Sequence, residues 1–401
     1  MRLVAHRSGC MCGVPIRHTP SAIRHKRGPM DFQFTPEHEE LRNTVRKFLE
    51  DKSPEAAVRR LMMGELGYDP PVWLQMAEQL GLPGLIVPER FGGAGFGWVE
   101  LAIVMEEMGR ALLCAPYLST AVLATSALRL AGNEAAQADL LQKIAAGKAI
   151  VALAHAEPKH SWESSAVTMQ ATAHRGAWRL DGEKTYVIDG HSADVLLVVA
   201  KAEDRLSLFR VAGTADGVER TLLPTLDVTR KLARISFNGT RAEHIGSGDD
   251  LTSAIDKVIA LGIVALAAEQ VGGAQRCLEL ATEYAKTRLQ FGRPIGSYQA
   301  IKHRCADMLV AVEFAKSAAY HAAFRAAEND DAELPAAASM AKSFCSEAYF
   351  QAAADTIQIH GGMGFTWEHP AHLYFKRAKS SGVLFGEPVH HREKLAQHIG
   401  I

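Results

Sequence analysis

A carboxylate, Glu387, stands between Gly386 and Pro388 in the stretch VLFGEPVHHREKLA, residues 383–396. A buried carboxylate with a raised pKa can act as a general base. A carboxylate in the first turn of a helix instead complements the helix dipole, and proline is favoured at the same place. Catalysis and helix initiation are therefore both open interpretations of Glu387.

The sequence carries no signal for a nucleotide-binding motif, a metal site or nucleic-acid binding. No GxGxxG follows a predicted strand and no GxxxxGK[ST] occurs, so neither phosphate-binding motif is present. His390 and His391 are adjacent and point apart on a helix, so we predict no metal site. The 44 Lys and Arg residues balance the 45 Asp and Glu residues, which predicts no nucleic-acid partner.

Three regions of different periodicity must position any functional group. Residues 30–148 and 246–401 have apolar residues at helical spacing, and the second region suits a four-helix bundle. Residues 149–245 alternate with a period of two, in stretches such as ADVLLVVA and ARISFNG, with DGEK and VIDGHSAD as predicted tight turns. We therefore predict an α+β, mainly α, protein: an N-terminal α-helical domain, a middle antiparallel barrel or sandwich, and a C-terminal helical bundle.

Residues 1–29 differ from the rest, because they carry six Arg and Lys residues and no acidic residue. We predict a disordered basic tail, or a start upstream of the natural one at Met30, rather than a targeting segment. No apolar run is long enough to predict a membrane span. The six scattered cysteines indicate the reduced thiols of a cytoplasmic protein.

Three stretches carry a resemblance to a known family. They are TRLQFGRPIGSYQAIKH (residues 287–303), QIHGGMGFTWEHP (358–370) and GLPGLIVPERFGGAG (81–95). Together they closely resemble the acyl-CoA dehydrogenase family, from Met30 to the end of the chain. The family's layout is an α-helical domain, a β-barrel domain and a C-terminal four-helix bundle. The resemblance thus selects a barrel for the middle domain.

The resemblance implies flavin chemistry. Such enzymes bind FAD and an acyl-CoA thioester, remove an α proton with a carboxylate, and pass a hydride from the β carbon to flavin N5. Electron-transfer flavoprotein or a similar protein is the implied acceptor. The reaction requires a base beside the α carbon and hydrogen bonds to the thioester oxygen. The basic run Lys376, Arg377 and Lys379 either meets the CoA phosphates or forms a solvated helix face.

The family's FAD site is divided between two subunits. By resemblance, Arg288 and Phe291 belong to a loop that reaches a neighbouring subunit's FAD, with Arg288 as a permanent cation near the pyrophosphate. Gln358 and Gly362 match a second such loop, where glycine lets the backbone approach the cofactor. The alternative is that Arg288 only ends a helix and balances its dipole.

The half-site that a subunit offers to its own flavin is altered. The family typically has a TEPGAGSD-like segment where this chain has AEPKHSWES, residues 156–164, so that Ala156 replaces a hydroxyl. By resemblance, Tyr186 stands where an aromatic residue covers the flavin ring. Ile188 stands where a threonine commonly hydrogen-bonds near N5, and it offers only its backbone N–H.

The resemblance also locates the catalytic base. Counting along the family's spacing from the second loop leads to Phe385, which cannot accept a proton. In members whose base projects from the first bundle helix, counting back from the first loop leads to Gly262. Glu387 lies two residues beyond Phe385 and remains a candidate. Glu269, about two turns beyond Gly262, is expected in the bundle interior or at an interface.

These features together predict one subunit of a heteromeric, tetrameric acyl-CoA dehydrogenase whose base lies on the partner chain. One alternative is a homotetramer that binds its own FAD and uses a displaced base such as Glu387. A third interpretation is a related flavin-dependent monooxygenase or a non-catalytic CoA-ligand-binding protein. The acyl group is not readable, because the residues lining such a pocket are generic apolar types, and the large Trp162, Phe365 and Phe385 either narrow the pocket or simply pack.

Overall fold

The computed structural model describes most of the chain from residue 34 onward. The described residues are 34–401 apart from 159–161, 175, 247 and 249. The predicted tail, residues 1–29, lies outside the described residues.

The first region is helical, as predicted. Its α-helices are α1 (Pro36–Lys52), α2 (Glu55–Met63), α3 (Pro70–Leu80), α4 (Trp98–Arg110), α5 (Thr125–Ala131) and α6 (Glu134–Ala145). Asp69 caps α3 by accepting a hydrogen bond from the Val72 N–H, and Gly81, with φ of 64°, ends it. A π-helix, Tyr117–Ala124, precedes α5. π-Helices are rare in proteins overall, but those that occur are often found at functional sites.

The middle region is a closed sheet. Its strands are β1 (Val151–Ala154), β2 (Gln170–His174), β3 (Ala177–Ile188), β4 (Val195–Ala202), β5 (Arg205–Ala212), β6 (Val218–Leu222) and β7 (Leu232–His244). Pairing runs from β4 through β2, β3, β7 and β5 back to β4, and β1 and β6 pair with β4 and β7. The predicted barrel is confirmed. The prediction of antiparallel pairing is wrong for β1 with β4 and for β2 with β4, which are parallel.

One predicted turn of the barrel is also wrong. The stretch DGEK lies inside β3, which continues past it with an irregular register against β7 between Leu180 and Gly182. Gly182 has φ of 133°, so the Asp-Gly pair produces a local irregularity and not a chain reversal. VIDGHSAD does turn, since the Gly190 N–H donates to the Val187 carbonyl at 3.2 Å.

The last region is a helical bundle, as predicted. Its helices are α7 (Thr252–Thr287), α8 (Gln299–Ala327), α9 (Leu334–His360), α10 (Ala371–Val383) and α11 (Pro388–Ile399). Helices α7, α8 and α9 pack on one another, α10 packs on α7 and α9, and α11 packs on α9. A short hairpin of β8 (Leu289–Gln290) and β9 (Arg293–Pro294) joins α7 to α8. A membrane-spanning helix is not found in the described part of the chain.

A buried ion network joins the bundle to the barrel. Arg377 of α10 donates hydrogen bonds to Asp227 at 2.7 Å and to Glu269 of α7 at 2.9 Å. Asp227 lies in the segment between β6 and β7. Arg377 is 2% exposed. Both interpretations of the basic run, a solvated face and a CoA phosphate contact, are therefore wrong for Arg377.

Candidate functional site

Phe385 occupies the turn between α10 and α11, where the resemblance places a catalytic carboxylate. Its side chain is 2% exposed and its φ is 61°, a conformation that bulky residues rarely adopt. His391 Nε2 lies 3.0 Å from the Phe385 carbonyl oxygen and donates to it, since a carbonyl only accepts. The turn is therefore firmly held, although its side chain cannot take a proton.

The alternative base position lies directly beside Phe385. A Cβ built on Gly262 would lie 3.6 Å from Cζ of Phe385 and 2.5 Å from Cδ2 of Leu123, on the π-helix. Two positions reached by counting from different loops thus meet in space. Phe385 and Leu123 fill the volume that a side chain on Gly262 would need, and none of these side chains can accept a proton.

Trp162 extends this region into an aromatic cluster of Trp162, Tyr186 and Phe385. The Trp162 ring meets Phe385 nearly edge-on, with centroids 5.0 Å apart, and its centroid lies 6.4 Å from that of Tyr186. Tyr186 has φ of 52° and is 51% exposed. The ring of Trp162 therefore lies beside both the residue predicted to cover a flavin ring and the residue at the base position.

The polar groups around the aromatic cluster have structural roles. Ala156 and Ile188 are buried and offer no side-chain hydrogen bond. Glu157 accepts hydrogen bonds from the Thr168 hydroxyl and the Met169 N–H, and Lys184 Nζ lies 2.7 Å away. Burial would raise the pKa of Glu157, but Lys184 and these hydrogen bonds outweigh it and lower the pKa to about 2. Glu157 thus fixes its loop as a permanent anion.

Glu387 begins α11. It is exposed and precedes Pro388, the first residue of the helix, but its side chain makes no capping hydrogen bond. It borders a groove of about 200 Å³ whose walls come from α9, α10 and the start of α11. None of the three aromatic-cluster residues lines that groove. This geometry favours the helix-start interpretation over catalysis.

Replacing Glu387 with glutamine is accordingly expected to change turnover of the assembled enzyme by less than about twofold, because the loss of a true base lowers rates by ~10²–10⁴-fold. Steady-state turnover of an acyl-CoA substrate measures this, with the exposed Glu393→Gln variant of α11 as a matched control. A loss of a hundredfold confined to Glu387→Gln would make Glu387 the base.

Glu269 belongs to the buried ion network around Arg377. It is 5% exposed and accepts hydrogen bonds from Arg377 and Arg230. Burial raises the pKa of its carboxyl, but the two guanidinium groups outweigh this and lower the pKa below its usual value. The bundle-interior interpretation of Glu269 therefore fits its surroundings.

The first predicted flavin loop is displayed on the surface. Phe291 and Gly292 form the hairpin tip with φ of 52° and 78°, as a tight two-residue turn requires. A phenylalanine is strained there, yet its side chain is 91% exposed, so packing within this chain does not explain it. Among the described residues the Arg288 guanidinium has no hydrogen-bond or ion-pair partner. Both side chains are exposed, so a second molecule can reach them.

The second predicted loop leaves the bundle next to the first. Tyr284, one turn before the hairpin, stacks on His360 with ring centroids 4.3 Å apart. His360 is buried and its Nδ1 donates to the Thr356 carbonyl at 2.7 Å, which indicates packing. Gln358 and Gly362 are exposed. A Cβ on Gly362 would meet nothing within 4 Å, so this chain alone does not require glycine there.

A helical domain, a closed barrel and a helical bundle with two displayed loops form the three-domain layout that the sequence resemblance implied. The family profile described as acyl-CoA dehydrogenase, N-terminal domain, matches residues 35–148. The profile described as acyl-CoA dehydrogenase, C-terminal domain, matches residues 252–400. The chain belongs to the acyl-CoA dehydrogenase family.

Individual members of the family resemble the chain over nearly their full length. Acyl-CoA dehydrogenase IpdE2 of Mycobacterium tuberculosis is 38% identical over 353 residues, which are 88% of this chain and 94% of that protein. A chain of the ChsE4-ChsE5 complex from M. tuberculosis superposes with a TM-score of 0.84 at 28% identity, covering 92% of this chain and 99% of that one. A chain of the Tcur3481-Tcur3483 steroid ACAD gives 0.82 at 29% identity, covering 90% and 97%.

The family consists of FAD-dependent oxidoreductases of lipid metabolism, and the two halves of the site fit FAD differently. The displayed loops fit, since Arg288 is a cation without an ion-pair partner among the described residues and Gly362 leaves room for a ligand. The chain's own half does not fit, because Ala156 and Ile188 lack side-chain donors and Trp162 stands against Tyr186. Sequence reasoning left the role of Trp162 open and missed His155, whose only signal was its place directly before the altered segment.

Proposed function

We propose that this chain is one subunit of a heteromeric, FAD-dependent acyl-CoA dehydrogenase, which forms a double bond between the α and β carbons of an acyl-CoA thioester. The observation that carries the proposal is that Phe385 occupies one base position and fills the space beside the other, Gly262. The base then comes from a second chain of related fold. This chain completes that partner's flavin site.

Each displayed residue has a role in this proposal. Arg288 holds the pyrophosphate of the partner's FAD as a permanent cation, and Phe291 packs against the partner from the hairpin tip. Gln358 and the backbone at Gly362 lie against the same cofactor. FAD, when bound there, supplies the hydride acceptor. The open surroundings of these four residues support the assignment.

The outer face of the bundle supports an assembly of several chains. Leu309, Val310 and Phe314 of α8 and Phe344 of α9 are exposed apolar residues. The rings of Phe314 and Phe344 lie 6.4 Å apart between centroids. Contiguous exposed apolar side chains mark contact surfaces between proteins. We therefore keep the predicted tetramer, built from two kinds of chain, as part of the proposal.

The substrate class in this proposal is a ring-bearing acyl-CoA of the steroid type. It rests on similarity to the Tcur3481-Tcur3483 protein, which is described as a steroid ACAD. Electron-transfer flavoprotein or a similar acceptor stays a prediction.

Flavin content tests the divided site directly. Expressed alone, the chain is expected to lack stoichiometric flavin, whereas co-expression with its dehydrogenase-like partner yields about one FAD per two chains, read from absorbance near ~450 nm. If the chain expressed alone contained one FAD per chain, and acyl-CoA bleached that flavin, the proposal would be contradicted and the homotetramer favoured. Flavin that only an external reductant bleaches would favour a monooxygenase, and acyl-CoA binding without turnover would favour a ligand-binding protein.

A further inference from the structure

After β1, three consecutive residues, Trp162, Glu163 and Ser164, are each held by a contact with another part of the chain. His155 Nε2 lies 3.0 Å from the Trp162 carbonyl oxygen. Glu163 Oε1 lies 3.1 Å from Lys394 Nζ of α11. The Ser164 N–H donates to Asp256 of α7 at 3.4 Å. Contacts with the barrel and with two bundle helices thus hold the backbone that carries the Trp162 ring.

His155 is suited to this task because its protonation state is defined. A carbonyl only accepts, so Nε2 carries the proton and donates to Trp162. Nδ1 is then a bare acceptor, and it is buried without a hydrogen-bond partner among the described residues. Burial, followed by the charge of Lys184, lowers the pKa of His155 to about 4. The neutral ring therefore persists at neutral pH, and with it the hydrogen bond.

The place of the Trp162 ring has a functional consequence. By the sequence resemblance, the flavin ring is expected under its aromatic cover and the acyl α carbon beside the base, so both are expected next to residues 186 and 385. Here those positions are Tyr186 and Phe385, and the Trp162 ring lies against both, with its centroid 6.4 Å and 5.0 Å from theirs. A ring and a ligand cannot share this volume, since protein interiors are close-packed.

We infer that Trp162 is a plug that excludes flavin and acyl group from this chain's own half-site, and that His155 is its positioning residue. The inference rests on the proposed function, in which this half-site is idle. It explains how an assembly of two similar chains keeps one kind of site occupied and the other closed. Trp162, within the altered segment, then keeps the two kinds of site different, in addition to the binding residues that the segment has lost.

The test separates the plug from the missing hydrogen-bond donors. In the co-expressed assembly, Ala156→Thr with Ile188→Thr restores both hydroxyls while Trp162 stays in place. This double variant is expected to keep about one flavin per two chains, and adding Trp162→Gly is expected to raise it about twofold, to one per chain. Trp178→Gly, a half-buried barrel tryptophan, replaces Trp162→Gly as the matched control and is expected to add no flavin.

Two results would overturn the plug. Flavin gained by the double variant alone would mean that the missing donors exclude it, and no gain with Trp162→Gly would mean that the ring is not the barrier. Wild-type assembly with full flavin, or no assembly, would instead overturn the proposed function.

His155 is tested in the same double-variant background. His155→Gln keeps an N–H donor and is expected to keep the site closed, whereas His155→Ala is expected to raise flavin content part of the way. A purely structural role predicts equal flavin content in both variants, and that result would remove His155 from the inference. The melting temperature of each assembly is recorded beside its flavin content, so that unfolding is not mistaken for opening.

Discussion

Replacing Arg288 with alanine is expected to release flavin from the co-expressed assembly while this chain stays folded. The backbone bonds of the residue, from its N–H to Tyr284 and from the Ile295 N–H to its carbonyl, are independent of its side chain. Losing hydrogen bonds to a charged phosphate costs about 1.5–3 kcal/mol. This corresponds to flavin affinity that is weaker by roughly 10–100-fold. Arg288→Lys is expected to fall between, since lysine keeps the charge but loses the planar fork.

Flavin retained after dialysis, measured by absorbance, checks this prediction. Arg293→Ala is a matched control, because it removes the same charge from the same hairpin, although Arg293 lies over the Tyr298 ring at 4.1 Å. Equal flavin loss in the two variants would show a general effect of hairpin charge and would contradict a specific role for Arg288. Unchanged circular dichroism of both variants establishes that the helices are intact.

The order of helical, β and helical regions could be predicted from the sequence because burial imposes the periodicities. Strand pairing could not, since alternation shows which face of a strand is buried but not which strand lies beside it. The two parallel pairings of β4 were missed for this reason. The Asp-Gly pair in DGEK misled the prediction, because the backbone freedom of Gly182 serves a strand irregularity as well as it serves a turn.

The candidate site was only partly predictable. Counting along two loops identified Phe385 and Gly262, and the structure places them side by side. Trp162 could not be assigned, because its position depends on contacts from Lys394 and Asp256, far along the chain. The positive φ of Phe385, Tyr186 and Phe291 also has no local sequence signal. Strain of this kind is tolerated only where the surrounding fold imposes it.

Arg377 was misjudged for a related reason. A short basic run on a helix usually faces solvent, whereas this guanidinium is buried by acidic residues from two other elements. Arg377→Ala is expected to lower the free energy of unfolding by about 3–5 kcal/mol, because it leaves buried carboxylates without their partner. Its three hydrogen-bond acceptors, Asp227, Thr229 and Glu269, lie within 2.9 Å. Urea denaturation of the co-expressed assembly measures the difference.

The pH dependence of that difference identifies its cause. In the native protein the pKa of Glu269 is lowered by Arg230 and Arg377 against the opposing effect of burial, so its pairing stabilises the fold above the unfolded pKa and is lost as pH falls. Without Arg377 the carboxylate keeps only Arg230, and protonation relieves the uncompensated charge. The gap between wild type and Arg377→Ala is therefore expected to be widest near neutral pH and to narrow below about pH 4.5. The exposed Lys379→Ala control is expected to change stability by less than about 0.5 kcal/mol. A gap that stays constant with pH would point to lost packing of the Arg377 side chain, and the buried charge network would then not be what joins α10 to the barrel.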